Sequence, residues 1–323
     1  MRRVTSFAML TLIGLALLAG GARLPASAQD AGSLEPANLV LVVTGGADAR
    51  INRVDWDVNA FAPVFPGTAV RGSDYIDLSG RTTLQIVCAD LTLLDQRGSE
   101  VPRCNPYPEQ AAFFYVDDPA WSMSGDATTT VVTLPADLAA IPPEVINPGA
   151  YNLNELTGGE LDAALGNVSA ILALNVPAEA QAFALSQFYR GQDVYFEALG
   201  ALTALSDLGC SARRPAVEPP QGEARPLAQS PVTYLRIGEL YEILGQQEDA
   251  LRNYQCAVTL AEALGDTADA ALGYARWGNI EPDPAQAVAH YQTSINLYTL
   301  LGAQDNANAM LEICGSRNCA PGQ

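Results

Sequence analysis

The apolar positions of this chain change their period once, near residue 158. Upstream, short β-branched runs alternate with turn-forming residues. "LVLVVTG" at 39–45 runs into Gly45-Gly46. "TTLQIVC" at 82–88 sets Thr82, Leu84, Ile86 and Cys88 against Thr83, Gln85 and Val87, and "LTLLD" at 91–95 and "TTTVVTL" at 128–134 extend the series. Pro66-Gly67, Arg71-Gly72-Ser73-Asp74, Ser79-Gly80 and Arg97-Gly98 punctuate these runs. A period of two with frequent turns predicts an antiparallel β sandwich or barrel-like module over 38–135. The stretch 136–158 includes Pro142-Pro143, Pro148-Gly149 and Gly158, which suit no regular element, and reads as a linker. Beyond it Leu161, Leu165, Val168, Ile171 and Leu172 recur at three and four residues, the stripe of an amphipathic helix, and open an all-α domain over 159–314.

The helical half repeats itself. Gly238, Tyr241, Gly245, Ala250, Tyr254 and Ala257 trace a helix, a tight turn and a second helix. A shift of 37 residues carries Ala250 onto Ala287, Tyr254 onto Tyr291, Ala257 onto Ser294 and Ala263-Leu264-Gly265 onto Leu300-Leu301-Gly302. Upstream, Leu185, Ser186, Tyr189 and Ala198 stand at the offsets of Ile237, Gly238, Tyr241 and Ala250, the surplus residues falling in the Pro-rich stretch 211–231, an expected exposed loop. Asn306 to Cys314 reads as a capping helix, followed by a tail at 315–323. A single helix pair cannot bury its apolar face; stacked pairs can, and three units is near the minimum.

These residues resemble the tetratricopeptide repeat, with Tyr234 where that family often has Trp. The resemblance implies a curved array whose first helices line a concave face that holds extended peptides or partner helices. Matching the family's groove-facing positions marks Gln187 and Arg190, Glu239 and Glu242, and Arg276 and Asn279 as partner-binding candidates; the plainer reading is solvated helix-face residues. This set lacks a cation cluster that would grip a C-terminal carboxylate. In the β half, Pro63, Val64, Gly67, Asp74 and Ile76, followed by an alternating strand and Ala89-Asp90, resemble the FecR-type extracytoplasmic domain. That likeness implies a small all-β module outside the membrane.

The first 28 residues have the layout of a secretory signal peptide: Met1-Arg2-Arg3, an apolar run from Phe7 to Leu18, then Ala26-Ser27-Ala28. Cleavage after Ala28 would leave a tail at 29–37 and a protein that is secreted or held in the periplasm or at the cell surface. No later stretch approaches roughly 18 uninterrupted apolar residues, so stable membrane insertion of the mature chain is not expected. The formal net charge is −19, and past residue 28 the 14 basic residues, all Arg, face 36 acidic ones. Nucleic acid and anionic membrane are poor partners for such a surface. Six cysteines, Cys88, Cys104, Cys210, Cys256, Cys314 and Cys319, predict three disulfides in an exported chain. Sequence proximity favours Cys88–Cys104 and Cys314–Cys319, leaving Cys210–Cys256, among 15 possible pairings. One His and no paired CxxC motif argue against a metal site.

Candidate chemistry is thin. His290, the only His, falls in "AVAHYQ" and suits a packing residue better than a base. Asp117-Asp118 precede Pro119 in a turn; Asp55 and Asp57 flank Trp56 on an expected strand edge; Trp56, Trp121 and Phe113-Phe114-Tyr115 suit a core better than a sugar platform. No catalytic residue, cofactor or metal is expected. The expectation is a non-catalytic protein-binding or scaffold protein with a protein or peptide partner. Carbohydrate or envelope binding by the β module, and an extracellular hydrolase with dispersed carboxylates, stand as alternatives.

Overall fold

Val40 and Val43 both point into a β core, although they lie three residues apart on one strand. The cause is a bulge: in β1 (Asn38–Thr44) the register to its partner shifts between Val40 and Val42, so Leu41 turns to the opposite side and leaves that core altogether. The computed structural model describes residues 38–44, 49–53, 56–57, 59–70, 75–78, 83–87, 93–95, 112–114, 156, 158–174, 178–191, 193–203 and 230–316, and all that follows concerns these.

Seven further strands follow: β2 (Ala49–Asn52), β3 (Ala62–Pro63), β4 (Ala69–Val70), β5 (Tyr75–Leu78), β6 (Thr83–Val87), β7 (Leu93–Asp95) and β8 (Ala112–Phe114). They form two four-stranded sheets, ordered β4-β1-β6-β7 and β3-β2-β5-β8. All pairings are antiparallel except β5 with β8, where Tyr75–Asp77 run parallel to Ala112–Phe114. The expected antiparallel module therefore carries a parallel edge. Val40, Val43, Leu84 and Ile86 from one sheet and Ala49, Ile51 and Ile76 from the other share a single core. The strand expected at 128–134 lies outside the described residues, as do the signal peptide and most of the linker.

The helical half contains α1 (Gly159–Leu172), α2 (Ala178–Gly191), α3 (Tyr195–Thr203), α4 (Pro231–Ile243), α5 (Gln247–Leu264), α6 (Thr267–Ile280), α7 (Pro284–Leu300) and α8 (Gln304–Ser316). Each helix packs on the next in chain order. Local chemistry sets the ends. Asp266 and Asp283 cap α6 and α7 by accepting backbone N–H groups, Pro231 and Pro284 occupy first-turn positions, and Gly265 ends α5 at φ 70°. Among the described residues no helix is long and apolar enough to cross a membrane.

Small residues sit where helices touch. Ala250, Ala257, Ser294 and Tyr291 are fully buried and Ala287 nearly so. A Cβ on Gly238 would lie 2.6 Å from the Tyr254 ring, and one on Gly278 2.9 Å from the Tyr291 ring. The 37-residue shift is visible in hydrogen bonds: the Tyr254 hydroxyl donates to Glu242 at 2.7 Å, and the Tyr291 hydroxyl to Asn279 at 3.0 Å.

The two halves are packed together. Leu41 joins Phe183 and Val232 in one cluster, and Gly67, at φ 95°, lies so close to the Phe183 ring that a Cβ would stand 2.6 Å from it. Ser230 donates its hydroxyl to the Pro66 carbonyl at 2.8 Å. Further along, Ala268 packs with Trp56 against the β core, and Asp57 N–H donates to the Leu301 carbonyl at 3.0 Å. Thus the β module touches α2, the start of α4, the start of α6 and the turn before α8. This corrects one boundary: Ser230 and Pro231, expected in the exposed loop 211–231, are buried, because Pro231 opens α4 and Ser230 binds the β module. The rest of that loop lies outside the described residues. Cys256 and Cys314 are both disulfide-bonded; Cys88, Cys104, Cys210 and Cys319 lie outside the described residues, and the pairings with them.

Candidate functional site

The six expected groove residues lie on three helices, each pair one turn apart: Gln187 and Arg190 on α2, Glu239 and Glu242 on α4, Arg276 and Asn279 on α6. A spacing of three puts each pair on one face. Solvation is where expectation fails. Arg190, Glu239, Glu242 and Arg276 are 4–5 % exposed and Asn279 9 %. Gln187 alone is only half-buried. Most of α4 is buried all round, from Pro231 to Leu235 and again at Ile237 to Leu240, so its inner side is not a free surface.

Folding brings these residues together around one carboxylate. Arg190 Nη2 donates to Glu239 Oε1 at 2.5 Å, and Arg276 Nη2 approaches the same oxygen at 3.3 Å. Arg236 Nη1 donates to the other oxygen, Oε2, at 3.2 Å. Three guanidinium groups from three successive first helices thus converge on Glu239. A cation cluster is present after all. It is invisible in linear order, because Arg190, Arg236 and Arg276 are far apart in the chain and meet only when the helix pairs stack. Arg236 escaped the sequence reading, although its place three residues before Glu239 on one helix was a usable signal.

The electrostatics follow from this count. Burial pushes the Glu239 carboxyl up, but Arg190, Arg276 and Arg236 outweigh it and hold the group below the usual carboxylate range. Arg190 faces the reverse balance: burial lowers its pKa to about 10, Glu239 opposes the shift, and Arg236 and Arg276 reinforce it. Tyr254 is raised well above an ordinary phenol, first by burial and then by Glu242. These are the properties of an internal brace, in which three guanidinium groups share one buried carboxylate.

His290 lies elsewhere, between α6 and α7. Its ring stacks on Trp277 at 4.0 Å, with Tyr274 5.7 Å away, and its Nε2 stands 3.9 Å from Glu281 Oε2. Trp277 Nε1 donates to that same carboxylate oxygen at 2.9 Å. Burial lowers the His290 pKa, and Glu281 only partly restores it. Of the other candidates, Trp56 is a seam residue between the halves, and the Asp57 side chain accepts the Asn59 N–H at 2.9 Å within a turn, not along a strand edge. Phe113 and Phe114 belong to β8, while Asp55, Tyr115, Asp117, Asp118 and Trp121 lie outside the described residues. Among the described residues no group of three or more His, Cys, Asp or Glu is placed to hold a metal ion.

No protein-family model, no curated protein and no solved structure matches this chain.

Proposed function

We propose that the protein is a non-catalytic, extracytoplasmic protein-binding scaffold: a tetratricopeptide-like helical array braced along one edge by a FecR-like β sandwich. The observation that carries this reading is the recurrence of one helix-pair packing, with Tyr254 on Glu242 in one pair and Tyr291 on Asn279 in the next. Units that repeat one contact stack into extended, presentable surfaces. Two sheets sharing one core support the sandwich. The bonded state of Cys256 and Cys314, together with the leader-like first 28 residues, supports an oxidising compartment.

The inner row is engaged in holding the array, so partner contact falls to its outer surface. Apolar side chains stand in solvent at both ends: Leu165 and Leu172 on α1, 46 % and 54 % exposed, and Leu300 and Leu311 on α7 and α8, 75 % and 44 % exposed. Isolated exposed leucines need no explanation, but pairs at the ends of an array are where a protein partner would find anchors. Proximity labelling with the exported chain should enrich a specific protein, and one of two variants, Leu165→Asp/Leu172→Asp or Leu300→Asp/Leu311→Asp, should abolish that enrichment. Equal labelling by both variants would overturn the assignment of the surface. Retention on purified glycans, with no protein enriched, would favour the carbohydrate reading.

A further inference from the structure

Glu281 stands at the junction of α6 and α7, with its side chain 8 % exposed. Its Oε1 accepts the Asp283 backbone N–H at 3.2 Å, and its Oε2 accepts the Trp277 indole N–H at 2.9 Å. A third group is aimed at the same carboxylate. His290, two turns into α7, has a side chain 15 % exposed and places Nε2 3.9 Å from Glu281 Oε2, beyond hydrogen-bond reach. That nitrogen is buried and makes no hydrogen bond among the described residues. A buried ring nitrogen left unbonded carries a cost, and a proton there would face a carboxylate.

The surrounding rings also favour a cation. The imidazole lies 4.0 Å from the Trp277 ring and 5.7 Å from the Tyr274 ring, within the ~6 Å over which an aromatic face attracts positive charge. The titratable groups near it are few. α6 presents Glu281 and Tyr274; α5 presents Glu262, which accepts the Tyr274 hydroxyl at 2.7 Å. Burial and that bond push the Tyr274 phenol up to about 12, so it stays neutral in acid. On α8, Asp305 and Glu312 are exposed and exert no charge effect on His290.

We propose that His290 is an acid sensor: once protonated, it donates to Glu281 Oε2 and draws that oxygen away from the Trp277 indole. The imidazole already rests on Trp277, so the carboxylate makes the move of about 1 Å that brings it to charge-assisted hydrogen-bond distance. Such a bond is about twice as strong as the neutral indole bond it weakens. Trp277 also packs against the cluster of Tyr234, Ala250 and Tyr254, so the exchange reaches the contact between the α4–α5 pair and α6. Burial opposes the charge on His290 more than Glu281 supports it, which sets the switch below the ordinary imidazole value near about 6.5.

Nitrogen-15 NMR of the untagged full chain tests this. His290 is the only His, so its ring signals identify themselves. The Trp277 indole N–H signal, identified by its loss in Trp277→Phe, should shift in one step that shares the His290 midpoint. In His290→Gln the indole signal should stay flat through that pH. In Glu281→Gln the His290 midpoint should fall by about 0.7 pH unit or more, the effect of a unit charge about 4 Å away even in a water-like dielectric. If His290→Gln does not fold, the shared midpoint in the native chain and the Glu281→Gln shift decide. An indole signal that does not follow His290, a step retained in His290→Gln, or a His290 midpoint unchanged in Glu281→Gln would each overturn the sensor.

Discussion

Replacing Glu239 with Gln isolates the charge at the centre of the array. The substitution preserves volume and one acceptor oxygen, so no cavity opens. What it removes is the carboxylate that Arg190, Arg236 and Arg276 share, at 2.5, 3.2 and 3.3 Å. The side chains of Arg190 and Arg276 are 4 % and 5 % exposed, while that of Arg236 is 17 % exposed and better hydrated. Removing one partner of a buried pair costs about 3–5 kcal/mol, because the remaining charge stays buried. Gln still accepts a hydrogen bond, which places the expected loss near the lower end, about 3 kcal/mol. For a domain of this size that lowers Tm by about 6–12 °C. Urea unfolding of Glu239→Gln, Arg190→Met and the double variant measures it, and the double variant should recover more than about 1 kcal/mol relative to additivity. The acid limb gives a second readout. The Glu239 carboxyl lies below its ordinary value near about 4.3, so its contribution is complete above that value and lost as pH falls through the depressed one. The native chain should therefore lose stability more steeply in acid than Glu239→Gln. A loss under about 0.5 kcal/mol, that of an ordinary surface change, would refute the internal brace and return the inner row to solvent.

The two equivalent tyrosines should respond unequally. Tyr254→Phe removes a hydrogen bond to the buried Glu242 carboxylate and should cost about 2–3 kcal/mol in urea unfolding, whereas Tyr291→Phe removes one to the neutral Asn279 amide and should cost about 1 kcal/mol. Equal losses would mean that the partner's charge is irrelevant. Ala250→Leu forces extra methylenes into a position with no exposed surface and should destabilise by about 1–3 kcal/mol; unchanged thermal unfolding would count against the helix crossing placed there.

Much of the helical half was legible in linear order, because helix pairs are short-range objects. The period of 3.6 and the recurrence of Ala250 and Tyr254 at Ala287 and Tyr291 each depend on residues close together in the chain. The strands were harder. β3 and β4 have two residues each, too few for an alternation to register, and β8 pairs with β5 across a long separation in a direction that local pattern does not encode.

The sequence by itself determined which small residues lie between the helices, and that the chain divides into a β half and an α half. Only the tertiary structure decided what the polar positions do. Residues one turn apart on a helix look solvated in isolation. When three helix pairs stack, Arg190, Arg236 and Arg276 reach Glu239, and a surface expected to greet a partner becomes the interior. The same holds for Trp56 and Asp57, which met Ala268 and Leu301 only after the halves packed together. Burial is a property of long-range neighbours, and no periodicity along a chain records which neighbours those are.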